Sequence, residues 1–259
     1  MIQYNISFLG AGNVGEALCR EMYSSGHNIE IIVSESGRNG PSLADSCNAM
    51  WSNDYIFPQS TDIIIVSVPD HELKNVLDNI SCRKDSLVAH TAGSIGLEVF
   101  PEKIIHRGVF YPLQTFSKGK KINFNGLPFL LESSDKESSL ILEALVESVK
   151  GKAYFVDIEK RKVLHLAAVF VCNFTNHMLA VGKDISSISG LSFDLLFPLI
   201  NETISKALDN GPENSQTGPA VRNDQNTIEK HLELLSFSPD LRRIYIEMTK
   251  SIITYNKKS

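Results

Sequence analysis

A glycine pattern close to the N-terminus constrains the fold of this chain more than any other feature. Three glycines in the arrangement G-x-G-x-x-G follow the apolar run at 6–9 and precede a segment with helical spacing. This strand–turn–helix context is typical of a dinucleotide-binding turn, in which the main chain approaches a pyrophosphate at the N-terminus of the helix. The pattern predicts a cofactor-binding turn that consists of Gly10, Gly12, Asn13, Val14 and Gly15.

The composition indicates an ordinary soluble globular protein. The 259 residues are 42% hydrophobic and 21% charged, which suits one large domain or two modest ones. The net charge of −5 gives no basic field, so we exclude nucleic acid as a partner. The cysteines at 19, 47, 82 and 172 have neither C-x-x-C nor metal-ligand spacing. They predict reduced thiols in a cytoplasmic protein without a metal site.

The sequence predicts neither a membrane span nor a signal peptide. No apolar stretch is expected to approach the roughly 20 residues needed to cross a bilayer. The first residues lack the basic-then-apolar layout of a signal peptide and run directly into the first strand. We therefore expect no membrane partner and a cytoplasmic location.

Short apolar runs alternate with helical patterns through about the first 150 residues, which predicts an α/β fold with a Rossmann-type parallel sheet. The run at 62–68 is continuously apolar and β-branched, as expected for a strand buried on both faces. The further predicted strands are 29–33, 87–90, 108–111, 128–131 and 153–156, with helices at 73–80 and 139–149.

The pattern becomes helical after residue 157. Residues 160–183 predict one long helix with apolar residues on nearly all faces, expected to be buried in a helical domain or a subunit interface. The remaining predicted helices are 193–208, 227–235 and 241–255. We therefore predict a dinucleotide-binding domain at 1–157 and an all-helical domain for substrate binding and dimerisation at 158–259. A homodimer is expected to form through the helical domain.

Several motifs together resemble one superfamily of Rossmann-type enzymes. The glycine turn and the strand that ends in Val68-Pro69-Asp70 are similar to pyrroline-5-carboxylate reductase, 6-phosphogluconate dehydrogenase and the deazaflavin-dependent NADP oxidoreductases. A closer resemblance is to the branch whose C-terminal half is a helical domain of unknown function. The segments that carry it are HTAGS at 90–94, YPLQTF at 111–116, HLAA at 165–168 with Asn173, and TGPAVRND at 217–224. The resemblance implies an NAD(P)-linked oxidoreductase fold with no substrate assigned.

Three positions depart from the patterns of these relatives. Tyr111 stands where the closer branch tends to have histidine, and Glu35 stands where an arginine that holds a 2′-phosphate is common. In β-hydroxyacid dehydrogenases, the first helix of the second domain supplies a lysine and an asparagine four residues later. Asn173 fills the asparagine position, but Val169 occupies that of the lysine. The acid of that mechanism is therefore absent.

The segment after the second predicted strand is expected to contact the adenosine ribose. Glu35 lies where an acidic side chain accepts a hydrogen bond from the 2′-hydroxyl of NAD and repels the 2′-phosphate of NADP. Ser34, Ser36 and Arg38 crowd the same turn, and their hydroxyls and guanidinium suit a phosphate. These residues leave both NADP and NAD open, and a surface turn without a ligand is the alternative.

The carboxyl ends of the central strands face the crevice where open α/β sheets bind ligands. Val68 and Pro69 at one such end predict main-chain contacts with the cofactor, although proline also starts helices. Ser94 is a candidate for binding the nicotinamide amide or a substrate carboxylate. His90 is a candidate catalytic proton donor, and a structural histidine at a strand end is the alternative.

The long helix carries polar side chains on one side of an apolar surface. At about 100° per residue, His165 and Asn176 lie about 20° apart in projection, and Asn173 lies within about 80° of His165. Because buried polar groups need partners, His165 and Asn173 are candidate catalytic residues and Asn176 a candidate for substrate binding. A satisfied core or interface histidine is the alternative for His165.

Two further residues are candidates for substrate binding, and the whole set predicts an oxidoreductase dependent on NADP or NAD. Tyr111 follows a predicted strand, and Arg222 after a Gly-Pro turn suits a carboxylate or phosphate. Asn223 or Asp224 is expected to cap the next helix. The enzyme would transfer a hydride between the nicotinamide and a small carbonyl, imine or hydroxy compound. A sensor or scaffold that binds the nucleotide without turnover is the alternative.

Overall fold

The computed structural model describes residues 2–35, 37 and 39–256. The chain divides into two compact units, Met1–Asn176 and His177–Ser259, of which the first is α/β and the second helical. The division falls within the long helix rather than before it. The start of that helix packs with the α/β unit, and the predicted domain boundary at residue 157 stays a prediction.

One eight-stranded sheet forms the centre of the first unit, with the strand order β3-β2-β1-β4-β5-β6-β7-β8. The strands are β1 (Asn5–Leu9), β2 (Asn28–Val33), β3 (Met50–Ser52), β4 (Ile63–Val66), β5 (Leu87–His90), β6 (Arg107–Pro112), β7 (Pro128–Ser133) and β8 (Lys152–Phe155). The predicted Rossmann-type fold is confirmed.

One pair of strands corrects the prediction of a wholly parallel sheet. All paired neighbours run parallel except β6 and β7, which are antiparallel. No helix lies between these two strands, in residues 113–127, all of which the structure describes. A parallel connection needs a crossover, usually a helix, so the chain returns antiparallel instead.

Helices cover both faces of the sheet. Those of the first unit are α1 (Asn13–Ser24), α2 (Gly40–Ser46), α3 (Leu73–Asn79), α4 (Lys136–Ser148) and α5 (Ile158–Ala168). Strand β4 shows the two cores most clearly, because Ile63 and Ile65 pack in one apolar cluster while Ile64 and Val66 pack in the other. This confirms the expectation that the strand is buried on both faces.

The long helix is continuous from Ile158 to Ile188 but contains a π-helical segment. The π segment is Val169–Phe174, between α5 and α6 (Thr175–Ile188). In the single chain Val163 and Val171 are 68% and 69% exposed, so burial of this helix in a subunit interface stays a prediction. By length and composition alone, with a mean hydropathy of 1.4 over its most apolar window, this helix qualifies as a membrane span. The prediction that no such stretch exists is therefore wrong, although one such helix is weak evidence for a membrane.

The second unit contains the other helices that were predicted. They are α7 (Phe197–Asn210), preceded by a short 3-10 turn at Phe193–Leu196, α9 (Gln225–Leu234) and α10 (Pro239–Asn256). The one-turn helix α8 (Pro212–Ser215) was not predicted. The Asp224 carboxylate accepts a hydrogen bond from the Thr227 amide, so of the two predicted caps of α9 it is the one observed.

Candidate functional site

The glycine turn requires glycine at its first and last positions for steric reasons. Gly10 has a φ of +103°, and a Cβ there would lie 2.1 Å from the Ser67 carbonyl oxygen. A Cβ at Gly15 would lie 2.3 Å from the Gly10 carbonyl oxygen. The strand, the turn and the first helix therefore approach each other as closely as only glycine permits.

The middle glycine is different, because open space surrounds it. A Cβ built on Gly12 meets no atom within 4 Å among the described residues. Gly12 is the N-cap of α1 and contributes no side chain to the amide groups of the first turn. These amides lack partners within the helix and carry its positive dipole end. The turn is thus a cradle that fits the diphosphate of a dinucleotide.

A cavity of about 280 Å³ adjoins this cradle. It brings together residues that are far apart in the sequence but were predicted to bind one cofactor. These are Gly10, Gly12, Ser34, Glu35, Val68 and Pro69. Asn13 and Val14 are not among the residues that line the cavity. Asn13 Nδ2 donates to the Phe116 carbonyl oxygen at 3.2 Å, and Val14 packs against the core.

Two aromatic side chains hold the candidate ribose-binding segment. The Tyr55 hydroxyl donates to Glu35 Oε1 at 2.8 Å, and Trp51 Nε1 donates to Ser34 Oγ at 3.1 Å. Burial and the Glu35 carboxylate together raise the pKa of Tyr55 to about 12, so it stays a donor at neutral pH. Glu35 lines the cavity with its carboxylate bonded to Tyr55. The predicted ligands Ser36 and Arg38 lie outside the described residues.

His90 is bonded to the main chain on both ring nitrogens. It is fully buried, its Nδ1 accepts from the Ala92 amide at 3.2 Å, and its Nε2 lies 3.4 Å from the Gly96 carbonyl oxygen. The ring stacks on Phe100 with centroids 5.4 Å apart. Burial lowers the pKa of His90 to about 4, so it is neutral at pH 7. These contacts favour the structural role over that of proton donor.

We expect His90 to make stability depend on pH. Its folded-state pKa of about 4 lies below the ordinary 6.5, so the unfolded chain binds the proton first as pH falls. The contribution is fully present above pH 6.5, and about 3 kcal/mol is lost between 6.5 and 4. Urea unfolding of the parent and of His90→Asn, which keeps an acceptor for the Ala92 amide, measures it.

The matched control for this experiment is His177→Asn, because His177 is exposed. The parent and His177→Asn are expected to lose stability equally over this pH range, while His90→Asn loses less. Equal slopes for all three proteins would contradict the assignment.

A tyrosine and a histidine from distant parts of the chain meet in the first unit. The Tyr111 hydroxyl lies 2.9 Å from His165 Nδ1, and both side chains are partly buried. A Cβ at Gly93 would lie 2.8 Å from Tyr111 Cζ, so the small residue leaves room for the tyrosine ring. The imidazole that the sequence lacks at position 111 is thus supplied by helix α5.

The turn that follows β5 is anchored on the next strand end. Ser94 Oγ donates to Asp70 Oδ2 at 2.7 Å. Asp70 directly follows Val68 and Pro69 in the chain. The predicted cofactor-contacting strand end and the turn with Ser94 therefore form one edge. The sequence places Asp70 at this strand end without giving its side chain a role, and the structure shows its carboxylate accepting the Ser94 hydrogen bond.

The structure also reveals an arginine that sequence reasoning missed. Arg161 has no solvent exposure, and Nη1 lies 2.7 Å from Glu132 Oε2 in an ion pair whose carboxylate is 22% exposed. Its other nitrogens donate to the carbonyl oxygens of Gly93 and Ile95, at 3.2 and 2.7 Å. Arg161 precedes His165 by four residues, so it lies one turn away on the same face of α5. The four-residue spacing to the candidate His165 was the feature of the sequence that could have identified Arg161.

The two asparagines of the long helix do not join this cluster. Asn173 and Asn176 are exposed, and within the described chain neither forms a hydrogen bond with His165. The projection at about 100° per residue does not apply through Val169–Phe174, because this segment is π-helical and a π turn takes more residues than an α turn. Arg222 is exposed and belongs to the second unit.

In the described residues, no group of three or more histidine, cysteine, aspartate or glutamate side chains is arranged to hold a metal ion. The glycine cradle, the cavity beside it and the Tyr111–His165 pair are the features of the first unit that suit cofactor binding and proton transfer. Together with the sheet order, these features define a dinucleotide-binding protein of the Rossmann class.

Comparisons with known proteins agree with this class. Residues 5–93 match the family described as NADP oxidoreductase coenzyme F420-dependent, and residues 127–252 match a domain of unknown function, DUF2520. A comparison with curated proteins finds no match.

Solved structures extend the similarity over the whole chain. A putative NADP oxidoreductase from Bacteroides fragilis is 36% identical, with a TM-score of 0.89 over 97% of this chain and 98% of that one. A protein from Thermotoga maritima is 24% identical, with a TM-score of 0.80 over 97% and 99%. The pyrroline carboxylate reductase of Plasmodium falciparum with NADP bound shares the fold at 14% identity, with a TM-score of 0.59 over 99% of both chains.

The chain belongs to the family of the Bacteroides fragilis protein, an NADP oxidoreductase-like family with a Rossmann-type N-terminal region and a helical C-terminal region. The resemblance deduced from the glycine turn and the downstream segments is confirmed.

Proposed function

We propose that this protein is an NADP-dependent oxidoreductase that reduces a small carbonyl or imine compound, or catalyses the reverse oxidation of a hydroxy compound or amine. The observation that carries the proposal is the Tyr111–His165 hydrogen bond of 2.9 Å in the unit that also holds the open glycine cradle. The first feature supplies a proton donor, and the second suits a dinucleotide.

Cofactor binding is assigned to the chain's own groups as follows. The Gly12 main chain and the first turn of α1 hold the diphosphate, because their amides lack other partners within the helix. The segment with Ser34 and Glu35 takes the adenosine ribose, and Val68 and Pro69 contact the cofactor at the strand end. When bound, NADPH supplies the hydride.

Proton transfer is assigned to Tyr111 and His165. Hydride addition to a C=O or C=N carbon pushes the π electrons onto the oxygen or nitrogen, which then needs a proton. Burial and the nearby Asp70 raise the pKa of Tyr111, so its hydroxyl carries a proton at neutral pH. The Tyr111 Oη–H bond breaks toward the substrate, and a proton on His165 Nδ1 passes to the Tyr111 oxygen. Solvent water then returns a proton to the partly buried His165 ring.

The test is a screen of keto acids, aldehydes and cyclic imines with the full chain, followed by NADPH absorbance. With a responsive substrate, Tyr111→Phe is expected to lower kcat about 100-fold, because a positioned acid contributes at least that much. His165→Gln is expected to lower kcat less and to change its pH profile. The dissociation constant of NADPH is expected to stay the same in both variants.

Tyr154→Phe is the matched control, since Tyr154 is 48% exposed on β8. Full activity of Tyr111→Phe would overturn the assignment of the donor. NADPH binding without turnover of any compound in the screen would favour a nucleotide sensor over an enzyme.

We further propose that the protein is a cytoplasmic homodimer. All four cysteines are free, which suits a reducing compartment. Helix 158–188 exposes large apolar side chains, among them Phe170 at 59% and Val171 at 69%, and such exposure marks an interaction surface. A second copy of the chain is the proposed partner.

Light scattering in detergent-free buffer is expected to give twice the 28.7 kDa chain mass. Val171→Asp is expected to give the single mass, because it places a charge in the apolar surface. Lys84→Asp, at an exposed position in a loop, is the control and stays dimeric. Association of the parent with lipid vesicles in place of dimerisation would contradict the proposal.

A further inference from the structure

Two cysteines that are 28 residues apart in sequence come into contact between α1 and the end of α2. Cys19 lies on α1 and Cys47 directly follows α2, and their Sγ atoms are 3.6 Å apart. Both are buried, at 0% and 1% exposure, and both are free thiols. Neither takes part in the proposed reaction.

The surroundings of the pair favour reaction at Cys47. The Cys19 thiol donates to Cys47 Sγ, and the Ser46 hydroxyl lies 3.7 Å from the same sulfur. Arg20 Nη1 donates to Ser46 Oγ at 2.8 Å, which brings a positive charge close. The hydrogen bond from Cys19 lowers the pKa of Cys47 to about 7, while the pKa of Cys19 is raised. Because Ser46 is exposed, Cys47 lies one residue from solvent.

We propose that Cys19 and Cys47 are an oxidation site that closes into a reversible disulfide with a peroxide and thereby weakens cofactor binding. The Cys47 thiolate attacks one oxygen of hydrogen peroxide, the O–O bond breaks, and the hydroxide released takes a proton to form water. The Cys19 sulfur then attacks the resulting sulfenic acid. An S–S bond forms, the S–O bond breaks, and a second water leaves. Two thiols are oxidised and one peroxide is reduced.

The disulfide would act on the cofactor site through helix α2. A disulfide has an S–S distance of about 2.05 Å, so the two sulfurs must approach by about 1.6 Å and draw the end of α2 towards α1. The other end of α2 is packed tightly, because a Cβ at Gly40 would lie 2.2 Å from Ser34 Oγ. A shift of α2 therefore reaches Ser34, which lines the cavity. This effect rests on the proposed cofactor site.

The test uses the full chain carrying Cys82→Ser and Cys172→Ser, so that only this pair is left to react. After treatment with hydrogen peroxide, non-reducing peptide mass spectrometry is expected to find the two peptides joined, with the loss of two hydrogens. Titration of NADPH fluorescence is expected to show about 10-fold weaker binding, restored by dithiothreitol. Adding Cys47→Ser, or Cys47→Ala if the serine variant unfolds, is expected to abolish both effects.

Absence of the joined peptides under excess peroxide would overturn the proposal, and so would joined peptides with unchanged NADPH affinity. Failure of the reduced protein to bind NADPH at all would instead overturn the proposed cofactor site. The mass spectra would then still decide whether the disulfide forms, so the two failures are distinguishable.

Discussion

Replacing Gly12 with aspartate is expected to weaken NADPH binding about 1000-fold while leaving the protein folded. A Cβ at this position meets no atom within 4 Å among the described residues, so the fold has room for the new side chain. That side chain fills the cradle, and its carboxylate caps the amides that the diphosphate would use. Loss of about two charge-assisted hydrogen bonds costs about 4 kcal/mol, which corresponds to this factor. Isothermal titration with NADPH measures it.

Ser24→Asp is the matched control, because it adds the same charge at the exposed far end of the same helix. Its NADPH affinity is expected to equal that of the parent. Thermal unfolding of Gly12→Asp checks that the variant is folded. Equal NADPH affinity of Gly12→Asp and the parent would refute the assignment of the glycine turn.

The fold was predictable from the sequence where structure depends on local pattern. The glycine turn is a contiguous motif, and the strand at 63–66 is an unbroken apolar run, so local sequence predicts both. Helices α7, α9 and α10 repeat their apolar residues at helical spacing, which predicts them in the same way. The short strand Met50–Ser52 and helix α2 were not predicted. A three-residue strand is too short to show a period, and α2 begins with a Gly-Pro pair, which is typical of a turn.

Two further features depend on context that no local pattern carries. Strand β7 runs antiparallel to β6 because no helix connects the two strands. The apolar sequence of β7 itself does not indicate in which direction the strand runs. The π segment Val169–Phe174 adds an offset to a helix whose sequence is apolar on most faces. Because its apolar residues do not fall on one face, their spacing cannot show that the helix is wound differently at 169–174.

The candidate site divides in the same way. The grouping of Gly10, Gly12, Val68 and Pro69 around one cavity was predictable, because the motif is contiguous and strand ends converge in a parallel sheet. Tyr111 and His165 were each selected as candidates, but their contact joins residues 54 apart. Arg161 was missed because an arginine on a helix is ordinarily exposed, and only the tertiary structure shows its partners.

Replacing Arg161 with methionine is expected to lower the free energy of unfolding by about 3 kcal/mol, in the range for breaking a buried ion pair. The change leaves the Glu132 carboxylate, which is 22% exposed, without its cation. It also removes the donors to the carbonyl oxygens of Gly93 and Ile95. Methionine keeps most of the apolar volume, so a cavity is not the cause. Urea unfolding measures the loss.

Arg161 does more than neutralise Glu132, and two companion variants separate its roles. Glu132→Gln keeps an acceptor for Nη1 and is expected to cost less than Arg161→Met. Arg161→Lys keeps the charge but cannot bond three oxygens in one plane, so it is expected to fall between them. Lys160→Met, at the neighbouring exposed position, controls for the loss of a cation and is expected to leave stability unchanged. If Arg161→Met were as stable as Lys160→Met, the two hydrogen bonds to the turn after β5 and the ion pair with β7 would not anchor α5. The position of His165 beside Tyr111 would then need another cause.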